Sequence, residues 1–307
     1  MKQLNSFFVA LLLLAASCSN ESVDIVEKAQ VEAVAAPVRV YVNDFSITQG
    51  EFPDASGEAQ GVTRATAVGS YNGVQVLTLA FYKSDGSEQF KATHTKGGMP
   101  EGKTFGEFST TLPLGSYTMV VLGYVLYDDD ELTLTSPTQA EYTGGCVRET
   151  FAATQTVNIT NTSAVELTAT LNRIIACLQV ISIDGKTANV NKVRMTFAAG
   201  GMRFSPTTGL ATVNTGSAST VGVSAAEGAT STSTGYVFLT TDEQTMDVTI
   251  ETLDAGGNTI YTKTVENVPL KRNRKTKLTG AIYGASAAAG SFQVNTSWLD
   301  EEDPINF

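Results

Sequence analysis

The sequence predicts an all-β protein made of two antiparallel β-sandwich domains, and three observations support this. Apolar residues recur at every second position along most of the chain, as they do in half-buried strands. Gly, Asn and Asp cluster between these stretches, where turns are expected. No segment has a helical repeat of apolar residues longer than a turn or two. A chain of 307 residues is long enough for two sandwiches.

The first residues have the pattern of a secretory signal peptide. A positive start at Lys2 is followed by an apolar run, and small residues come directly before Cys18. A cysteine in this position is typical of a bacterial lipoprotein, in which its thiol is acylated. We therefore expect residues 1–17 to be a lipoprotein signal peptide and Cys18 to be lipidated, with residues 18–36 as a tether. The alternative is an ordinary secretory signal that precedes an incidental cysteine.

The first predicted strand is the most distinctive. Three valines alternate with polar residues, and two further apolar residues then continue in the opposite phase, so a β-bulge is expected at Asn43–Asp44. The apolar residues of this strand are Val38, Val40, Val42, Phe45 and Ile47. Further strands are predicted at 74–82, 105–112, 115–122, 157–159, 165–171, 173–183, 193–197, 246–250, 260–265 and 292–298. Residues 211–234 are expected to be a long loop or weak edge strands. The predicted domains are 37–150 and 151–307.

The composition argues against several kinds of chemistry. A net charge of −11 is unfavourable for binding nucleic acid or an anionic lipid surface. His94 is the only histidine, lies in a polar stretch and is expected to be an exposed loop residue rather than a catalytic base. The acidic run Asp128–Glu131 lacks the spacing of a calcium loop, so a solvated turn is favoured. We expect no catalytic site, no resident metal and no cofactor.

Cysteines and one basic cluster remain to be interpreted. A disulfide between Cys146 and Cys177 is compatible with an extracellular protein, but the apolar surroundings of Cys177 favour a buried thiol instead. The cluster Lys271–Lys277 is interpreted as a strand edge protected by charge. The acidic residues Asp300–Asp303 are interpreted as a solvated tail.

Several short motifs, taken in their order along the chain, resemble the fimbrillin family, the lipoprotein-derived subunits of type V pili. These motifs are Val62–Thr66, Leu112–Tyr117, Leu171–Ala176, Val268–Arg274 with the following Gly280, and a terminal strand that contains Trp298. The resemblance implies transthyretin-like or Greek-key sandwiches. It also implies a precursor that reaches the outer membrane as a lipoprotein and is cut at the cell surface by an Arg-specific protease.

The resemblance further implies how the subunits assemble. Cleavage of the Arg64–Ala65 bond, in a Gly/Ser/Asp-rich loop, would release the first strand, and a strand of another subunit would fill the groove. The residues expected on the donated strand are Phe292, Val294, Thr296 and Trp298. The implied partners are other fimbrial subunits and a maturation protease, with a host protein or glycan as a further candidate. The implied locations are the outer membrane for the precursor and the surface fimbria for the mature subunit.

Three alternatives stay open at this point. Arg64 is a mere loop arginine if the protein is a non-polymerising anchor or a tip subunit that keeps its first strand. The final strand, with Trp298, completes the second domain of its own chain if it is not donated. A third interpretation is a lipid-anchored glycan-binding protein, in which an exposed tyrosine such as Tyr124 or Tyr127 would contact sugar.

Overall fold

A computed structural model describes residues 34–49, 62–125, 127, 131–284 and 292–295, and within these ranges the chain forms strands and no helix. For residues 43–49, 62–67, 294 and 295 the backbone alone is described. The strands of the first half are β1 Ala35–Gln49, β2 Val62–Ala67, β3 Val76–Lys83, β4 Glu88–Thr95, β5 Glu107–Pro113, β6 Gly115–Tyr124, β7 Glu131–Ser136, β8 Gln139–Thr143, β9 Thr150–Ile159 and β10 Val165–Arg173. Those of the second half are β11 Ala176–Ser182, β12 Lys192–Phe197, β13 Arg203–Ser205, β14 Leu210–Ala211, β15 Ser217–Gly222, β16 Thr232–Val237, β17 Glu243–Leu253, β18 Thr259–Lys271, β19 Lys275–Gly280 and β20 Gln293–Asn295.

The first sheet has eight strands in the order β2-β1-β10-β9-β6-β3-β4, with β5 paired to β1. Strands β9 and β10 share only two residue pairs, Ala152 with Asn172 and Phe151 with Arg173. The sheet therefore folds at this point into two layers that enclose one apolar core. The core contains residues of β1, β3, β5, β6, β9 and β10, with Phe81, Met119 and Leu171 fully buried.

The turn between β5 and β6 carries the chain from one layer of this sandwich to the other. Strand β5 pairs with β1, whereas β6 pairs with β3 and β9. The hydroxyl of Tyr117 donates a hydrogen bond of 2.9 Å to the carbonyl oxygen of Pro113 and so closes the turn. The ring of Tyr117 is buried in the core. This explains the physical role of the Leu112–Tyr117 motif.

A small sheet covers the outer face of β3 and β6. Its strands lie in the order β14-β13-β8-β7. Their apolar side chains, among them Tyr142 and Phe204, form a second core with Ala80, Val120 and Phe238. Because both faces of β6 are covered, its last six residues are all buried. A strand buried on both faces contains a continuous apolar run instead of a strict alternation, as the sequence of β6 does.

The second sandwich is built from two four-stranded sheets. One has the order β16-β11-β19-β20 and the other β15-β12-β17-β18. Their facing side chains form a third core that includes Leu178, Met195 and Ile250. The hairpin of β17 and β18 turns at Gly257, whose φ of 86° lies in the left-handed region that favours glycine. This turn lies between the predicted strands 246–250 and 260–265, where a turn is expected.

The predicted all-β fold class is confirmed, with one difference in strand direction. The sheets are mainly antiparallel, but β1 runs parallel to β10 and β11 runs parallel to β19. In each sandwich the first strand thus lies beside a late strand of the same sandwich. The two partners are far apart in sequence, so the chain has room for the crossover that a parallel pair requires.

Strands β9 and β10 lie beyond the predicted domain boundary at 150/151, yet both belong to the first sheet. The change from the first core to the third falls between Leu171 and Ala176. The division into independent domains 37–150 and 151–307 stays a prediction. In residues 211–234 the chain forms β15, β16 and the end of β14, each at the margin of its sheet, which agrees with the weak edge strands expected there.

No helix among the described residues is long and apolar enough to span a membrane.

Candidate functional site

Strand β1 occupies an interior position in the first sheet, with neighbours along both edges. Its residues Val38–Ser46 run parallel to Val165–Asn172 of β10. Its other edge is covered by β5 along Ala35–Tyr41 and by β2 along Asp44–Gln49. An interior strand uses its backbone donors and acceptors on both sides. Loss of β1 would therefore leave two facing rows of unpaired backbone groups, one on β10 and one on β5.

Alternate side chains of β1 fill the first core. Val38 and Val40 are each 1% exposed and Val42 is 2% exposed, whereas Arg39 points to solvent. Full burial contributes about 1.5–3 kcal/mol per valine-sized side chain, so these three valines contribute roughly 5–9 kcal/mol before ordering costs. The groove left by β1 would be deep and apolar, and we call it the β1 slot.

The register of β1 against β10 shifts between Val42 and Asp44, which confirms the predicted bulge at Asn43–Asp44. Beyond the bulge, the backbone of Phe45 is aligned with β10 and that of Ile47 with β2. The side chains of these two residues lie outside the described part of the structure. Of the five apolar residues expected on the displaced strand, the three valines are therefore the ones with observed burial.

The Arg64–Ala65 bond lies in strand β2, not in the loop where the sequence placed it. Arg64 is paired with Ile47 of β1, and Ala65 is paired with Ser46. The expected loop position was wrong, because the chain is already paired with β1 from Val62 onwards. Among the described strands β2 pairs only with β1, so it is an edge strand that is held on one side.

The C-terminal strand β20 lies at the margin of a sheet in the second sandwich. It pairs antiparallel with β19 through three residue pairs, including Val294 with Leu278. Phe292, just before it, is partly buried against the third core. A Cβ atom placed on Gly280 would come within 2.7 Å of the ring of Phe292, so the absence of a side chain at Gly280 lets the ring lie there. Thr296 and Trp298 lie outside the described residues.

Part of the expected donor segment thus completes a sheet of its own chain. This agrees with the alternative in which the final strand belongs to its own second domain. The attachment is short, because only residues 293–295 are paired. Three residue pairs at a sheet edge hold β20 more weakly than the eight pairs with β10 hold β1.

The sequence suggested an exposed loop position for His94, and this expectation was wrong. His94 belongs to β4, where its ring stacks on Phe108 at 3.9 Å between ring centroids with an angle of 14° between the planes. Its Nδ1 atom is buried without a hydrogen-bond partner. Burial, and after it the charge of Lys103, lowers the pKa of His94. The polar sequence of β4 hid the strand because only one of its faces packs against the core.

We expect this histidine to make stability depend on pH. Because the pKa of His94 is lowered in the folded protein, the unfolded chain takes up the proton first as pH falls. The free energy of unfolding should therefore decline as pH falls through about 6.5, the usual pKa of histidine, and should lose this dependence above it. Urea unfolding at pH 7.5 and at pH 5.0 measures the effect. The decline should be smaller in His94→Gln; an equal decline in both proteins would contradict the assignment.

Cys146 and Cys177 are not joined by a disulfide in this structure. Cys177 is buried in β11. Cys146 lies against β15, where its sulfur accepts a hydrogen bond of 3.1 Å from the backbone N–H of Thr220.

Of the acidic run 128–131 only Glu131 is described, and it begins β7. Within the described ranges there is no group of three or more His, Cys, Asp and Glu residues that could hold a metal ion.

The basic cluster 271–277 spans the end of β18, a turn and the start of β19. Arg272 forms an ion pair of 2.7 Å with Asp242, and Lys271 forms one with Glu243. Strand β18 is the last strand of its sheet. The expected role as a charged strand edge agrees with these positions. The acidic tail 300–303 lies outside the described residues.

Sequence reasoning missed a buried ion pair that links several segments. The carboxylate atom Oε1 of Glu149, just before β9, accepts hydrogen bonds from Arg173 Nε at 2.7 Å and from the hydroxyl of Tyr71 at 2.9 Å. The side chains of Arg173 and Glu149 are 8% and 7% exposed. Arg173 also donates to Asn273 Oδ1 at 3.1 Å. Burial, followed by the charge of Glu149, raises the pKa of Tyr71. The one signal in the sequence was an arginine directly before the apolar run 174–178.

The tyrosines proposed for sugar contact differ in exposure. Tyr124 is buried and its hydroxyl lies 3.1 Å from the hydroxyl of Thr78, so its expected exposure was wrong. Tyr127 is 55% exposed. The guanidinium of Arg148 lies over its ring, 4.3 Å from the centroid. Of these two tyrosines, Tyr127 is therefore the one that a ligand can reach from solvent.

One family model matches the chain. It is described as a family of unknown function (DUF6562), and it covers residues 46–304. The match starts within β1 and extends beyond β20, so it includes both sandwiches. A search of curated proteins finds no match.

The solved structures found to be similar to the chain include fimbrial proteins. The fimbrial anchor protein Mfa2 from Porphyromonas gingivalis has 12% identity and a TM-score of 0.49, over 87% of this chain and 99% of that chain. A candidate cell adhesion protein from Bacteroides ovatus has 15% identity and a TM-score of 0.47, over 88% and 100%. The tip fimbrial protein Mfa3 from P. gingivalis, with a C-terminal truncation, has 11% identity and a TM-score of 0.38, over 87% and 99%. These values are too low for a role of those proteins to be transferred to this chain.

Proposed function

The chain belongs to this family of unknown function (DUF6562), and we propose that this member is a structural subunit of a cell-surface fimbria. In this proposal a lipidated precursor is activated by Arg-specific proteolysis and polymerises by β-strand exchange, and the resulting fibre supports adhesion. One observation carries the proposal: β1 is the first strand of the described chain and also an interior strand of its sheet.

A single cut after a first strand leaves that strand without a covalent link to the rest of the fold. An interior strand taken from the middle of a chain would need two cuts. After one cut, β1 would be held only by its backbone pairing with β10, β5 and β2 and by its buried valines. A strand from another copy offers the same backbone groups and an apolar face to the β1 slot. The contact joins two different surfaces, so it continues as a filament instead of closing into a dimer.

The proposed cut is at Arg64–Ala65. Its position in the edge strand β2 means that the bond becomes available to a protease when β2 detaches from β1. Strand edges open locally at a much lower free energy than the whole fold. After the cut, the released fragment would contain β1 and the first half of β2. Loss of β1 would also remove the described partner of residues 65–67, so the new terminus would be released from the sheet.

The proposed donor is the C-terminal segment with Phe292, Val294, Thr296 and Trp298. Residues 293–295 already have extended backbone and detach from β19 at the cost of three residue pairs. Their alternation of apolar and polar side chains suits a strand that buries one face. The donor would exchange a short pairing at an edge for a long pairing on two sides. This difference gives the exchange its direction.

The proposed precursor is anchored in the outer membrane through acylated Cys18, with the folded part at the cell surface. This proposal is supported by the order of positive, apolar and small residues before Cys18. Each buried methylene of an acyl chain adds about 0.8 kcal/mol, so an anchor with several chains is stable. Cleavage at Arg64 would separate the subunit from this anchor. Other fimbrial subunits are the proposed partners.

A fimbrial anchor or tip subunit that keeps β1 is the second candidate, and one observation favours it. Arg64 lies in a paired strand instead of an open loop. A protease must bind its substrate as a detached, extended segment, so the pairing with Ile47 slows the cut. A protein that retains β1 would stay lipidated and would receive a donor strand elsewhere or not at all.

Limited digestion of the soluble protein, started at Ser19 to omit Cys18, tests the proposal. With an Arg-specific protease, the product should begin at Ala65 by mass spectrometry and should form filaments by electron microscopy. Arg64→Gln is the matched variant: it should remain whole at residue 64 and should not polymerise under the same conditions. A cut product that stays monomeric would contradict the proposed polymerisation. Resistance of Arg64 in the wild-type protein would favour the anchor or tip subunit.

A further inference from the structure

A cavity of about 600 Å³ lies where loops of the first sandwich meet two edge strands of the second. One wall is formed by Asn72 and Gln75, which precede β3, and another by residues 148–149, which precede β9. The opposite wall is formed by residues 220–222 of β15 and 232–236 of β16. Ligand cavities commonly have volumes of about 300–1,000 Å³. The volume is therefore sufficient for one or two sugar rings.

One buried carboxylate atom in this cavity lacks a partner. Glu149 lines the cavity and is 6% exposed. Its Oε1 atom takes the hydrogen bonds from Arg173 and Tyr71, whereas Oε2 is buried without any hydrogen-bond partner. An unsatisfied buried acceptor is rare in folded proteins, because each one costs about 1–3 kcal/mol. Glu149 thus places an acceptor that needs a hydrogen-bond donor beside the cavity.

The position of this oxygen is set by its surroundings. A Cβ atom placed on Gly73 would come within 2.5 Å of Glu149 Oε2, so a glycine is required where the carboxylate approaches the loop. The segment before Glu149 is fixed to β15 through the hydrogen bond from Thr220 N–H to Cys146. These contacts fix the course of the chain on either side of the Glu149 carboxylate.

The remaining wall is polar but carries little net charge. Asn72 and Gln75 offer amide groups from exposed positions on the loop before β3. Tyr127 offers a ring whose other contact is the guanidinium of Arg148. Tyr236 lies at the base, where burial raises its pKa well above the usual value and keeps its hydroxyl protonated. Hydroxyl groups of β15 and β16 complete the wall.

We propose that this cavity binds one unit of a neutral saccharide, with Glu149 Oε2 accepting a hydrogen bond from a sugar hydroxyl. A sugar supplies hydroxyl donors for the carboxylate, mixed donors and acceptors for Asn72 and Gln75, and an apolar ring face for Tyr127. The site is additional to the proposed fimbrial role and does not depend on it. In a fimbrial subunit it would give the fibre a glycan-binding surface.

Other ligand classes fit less well. An anionic ligand would face both the Arg148 guanidinium and the Glu149 carboxylate of the wall, in a chain of net charge −11, so its charge gains no net attraction. A cation would compete with Arg173, which already pairs with this carboxylate at 2.7 Å. A purely apolar ligand would leave Glu149 Oε2 unpaired in a drier environment, at greater cost. A neutral polyhydroxylated ligand can satisfy the oxygen without adding charge.

Isothermal titration of the whole soluble chain tests this proposal. The probes are glucose, galactose, mannose and N-acetylglucosamine, each alone, with glucuronate as the anionic comparison. At least one neutral sugar should bind with a Kd of about 1 mM, which is typical of so small a ligand. Glucuronate should bind more weakly than that sugar, because its carboxylate gains no net attraction from a wall that contains both Arg148 and Glu149.

Variants separate the cavity from the rest of the surface. Asn72→Ala and Tyr127→Ala change exposed residues of the wall and should each weaken binding by about tenfold or more, while the unfolding midpoint stays unchanged. Asn158→Ala, an exposed position on β9, is the matched control and should bind as the wild type does. Absence of binding by all four neutral sugars at 20 mM would overturn the proposal. Equal binding by the Asn72, Tyr127 and Asn158 variants, or stronger binding of glucuronate, would also overturn it.

Discussion

Val40→Asp is expected to release β1 from its sheet without any proteolysis. Val40 is 1% exposed and packs in the first core, so the substitution would place a carboxylate among apolar side chains with no cationic partner. The cost should be at least about 3 kcal/mol, comparable to that of an uncompensated buried charge. Because β1 is at the start of the described chain, it can detach while the other strands remain. The variant should therefore expose the β1 slot and self-associate.

Arg39→Asp is the matched control, because Arg39 is the preceding residue on the exposed face of the same strand. Its substitution introduces the same carboxylate without entering the core. Size-exclusion chromatography with light scattering should show oligomers of Val40→Asp and an unchanged elution of Arg39→Asp. Hydrogen exchange should become fast in residues 35–42 of Val40→Asp alone. Equal behaviour of the two variants would contradict the view that β1 is held mainly through its buried valines.

Arg173→Ala should cause a large loss of stability, for a different reason. Arg173 and Glu149 form a buried ion pair, so removal of the arginine leaves a buried carboxylate without its cation. Loss of one partner from a buried pair typically costs about 3–5 kcal/mol. The bond from Arg173 to Asn273, which lies between β18 and β19, is lost as well. The contact between the two sandwiches should therefore weaken together with the first sheet.

Arg194→Ala provides the comparison, because Arg194 also pairs with a glutamate. Its pair with Glu251, between β12 and β17, is more exposed, with side-chain exposures of 34% and 16%. The expected cost there is about 1 kcal/mol or less. Urea unfolding with equal m-values measures both free energies. Similar losses in Arg173→Ala and Arg194→Ala would show that burial of the Glu149 pair has little energetic effect. A Glu149→Gln, Arg173→Ala double variant should regain part of the loss.

The sequence predicted strands where one face is clearly apolar. The alternation in β1 even located its bulge, because a change of phase has no other simple cause in a strand. Strands β2 and β4 were missed for a physical reason. Strand β4 has the sequence EQFKATHT, in which side chains on the packed face are only partly buried. A strand with such a weak apolar face has almost the composition of a loop, which also explains the wrong expectation for His94. Strand β2 was missed because its six residues, VTRATA, show no apolar alternation.

Partners of the strands could not be predicted in the same way. A period of two identifies a strand but says nothing of its neighbour, so the parallel pairing of β1 with β10 was not foreseen. The cavity beside Glu149 is a similar case. Glu149 and Tyr71 are 78 positions apart, and their contact depends on how β3 and β9 are arranged around β6. Local patterns contain no information on such long-range contacts.

The most direct test of the central claim is the structure of the assembled, Arg-cleaved protein by electron cryo-microscopy. It should show an extended segment from the C-terminal end of a second copy between β10 and β5, with its apolar side chains where the three valines of β1 were. The claim is contradicted if that position still holds β1, or if β5 has moved to pair directly with β10 and no vacant site remains.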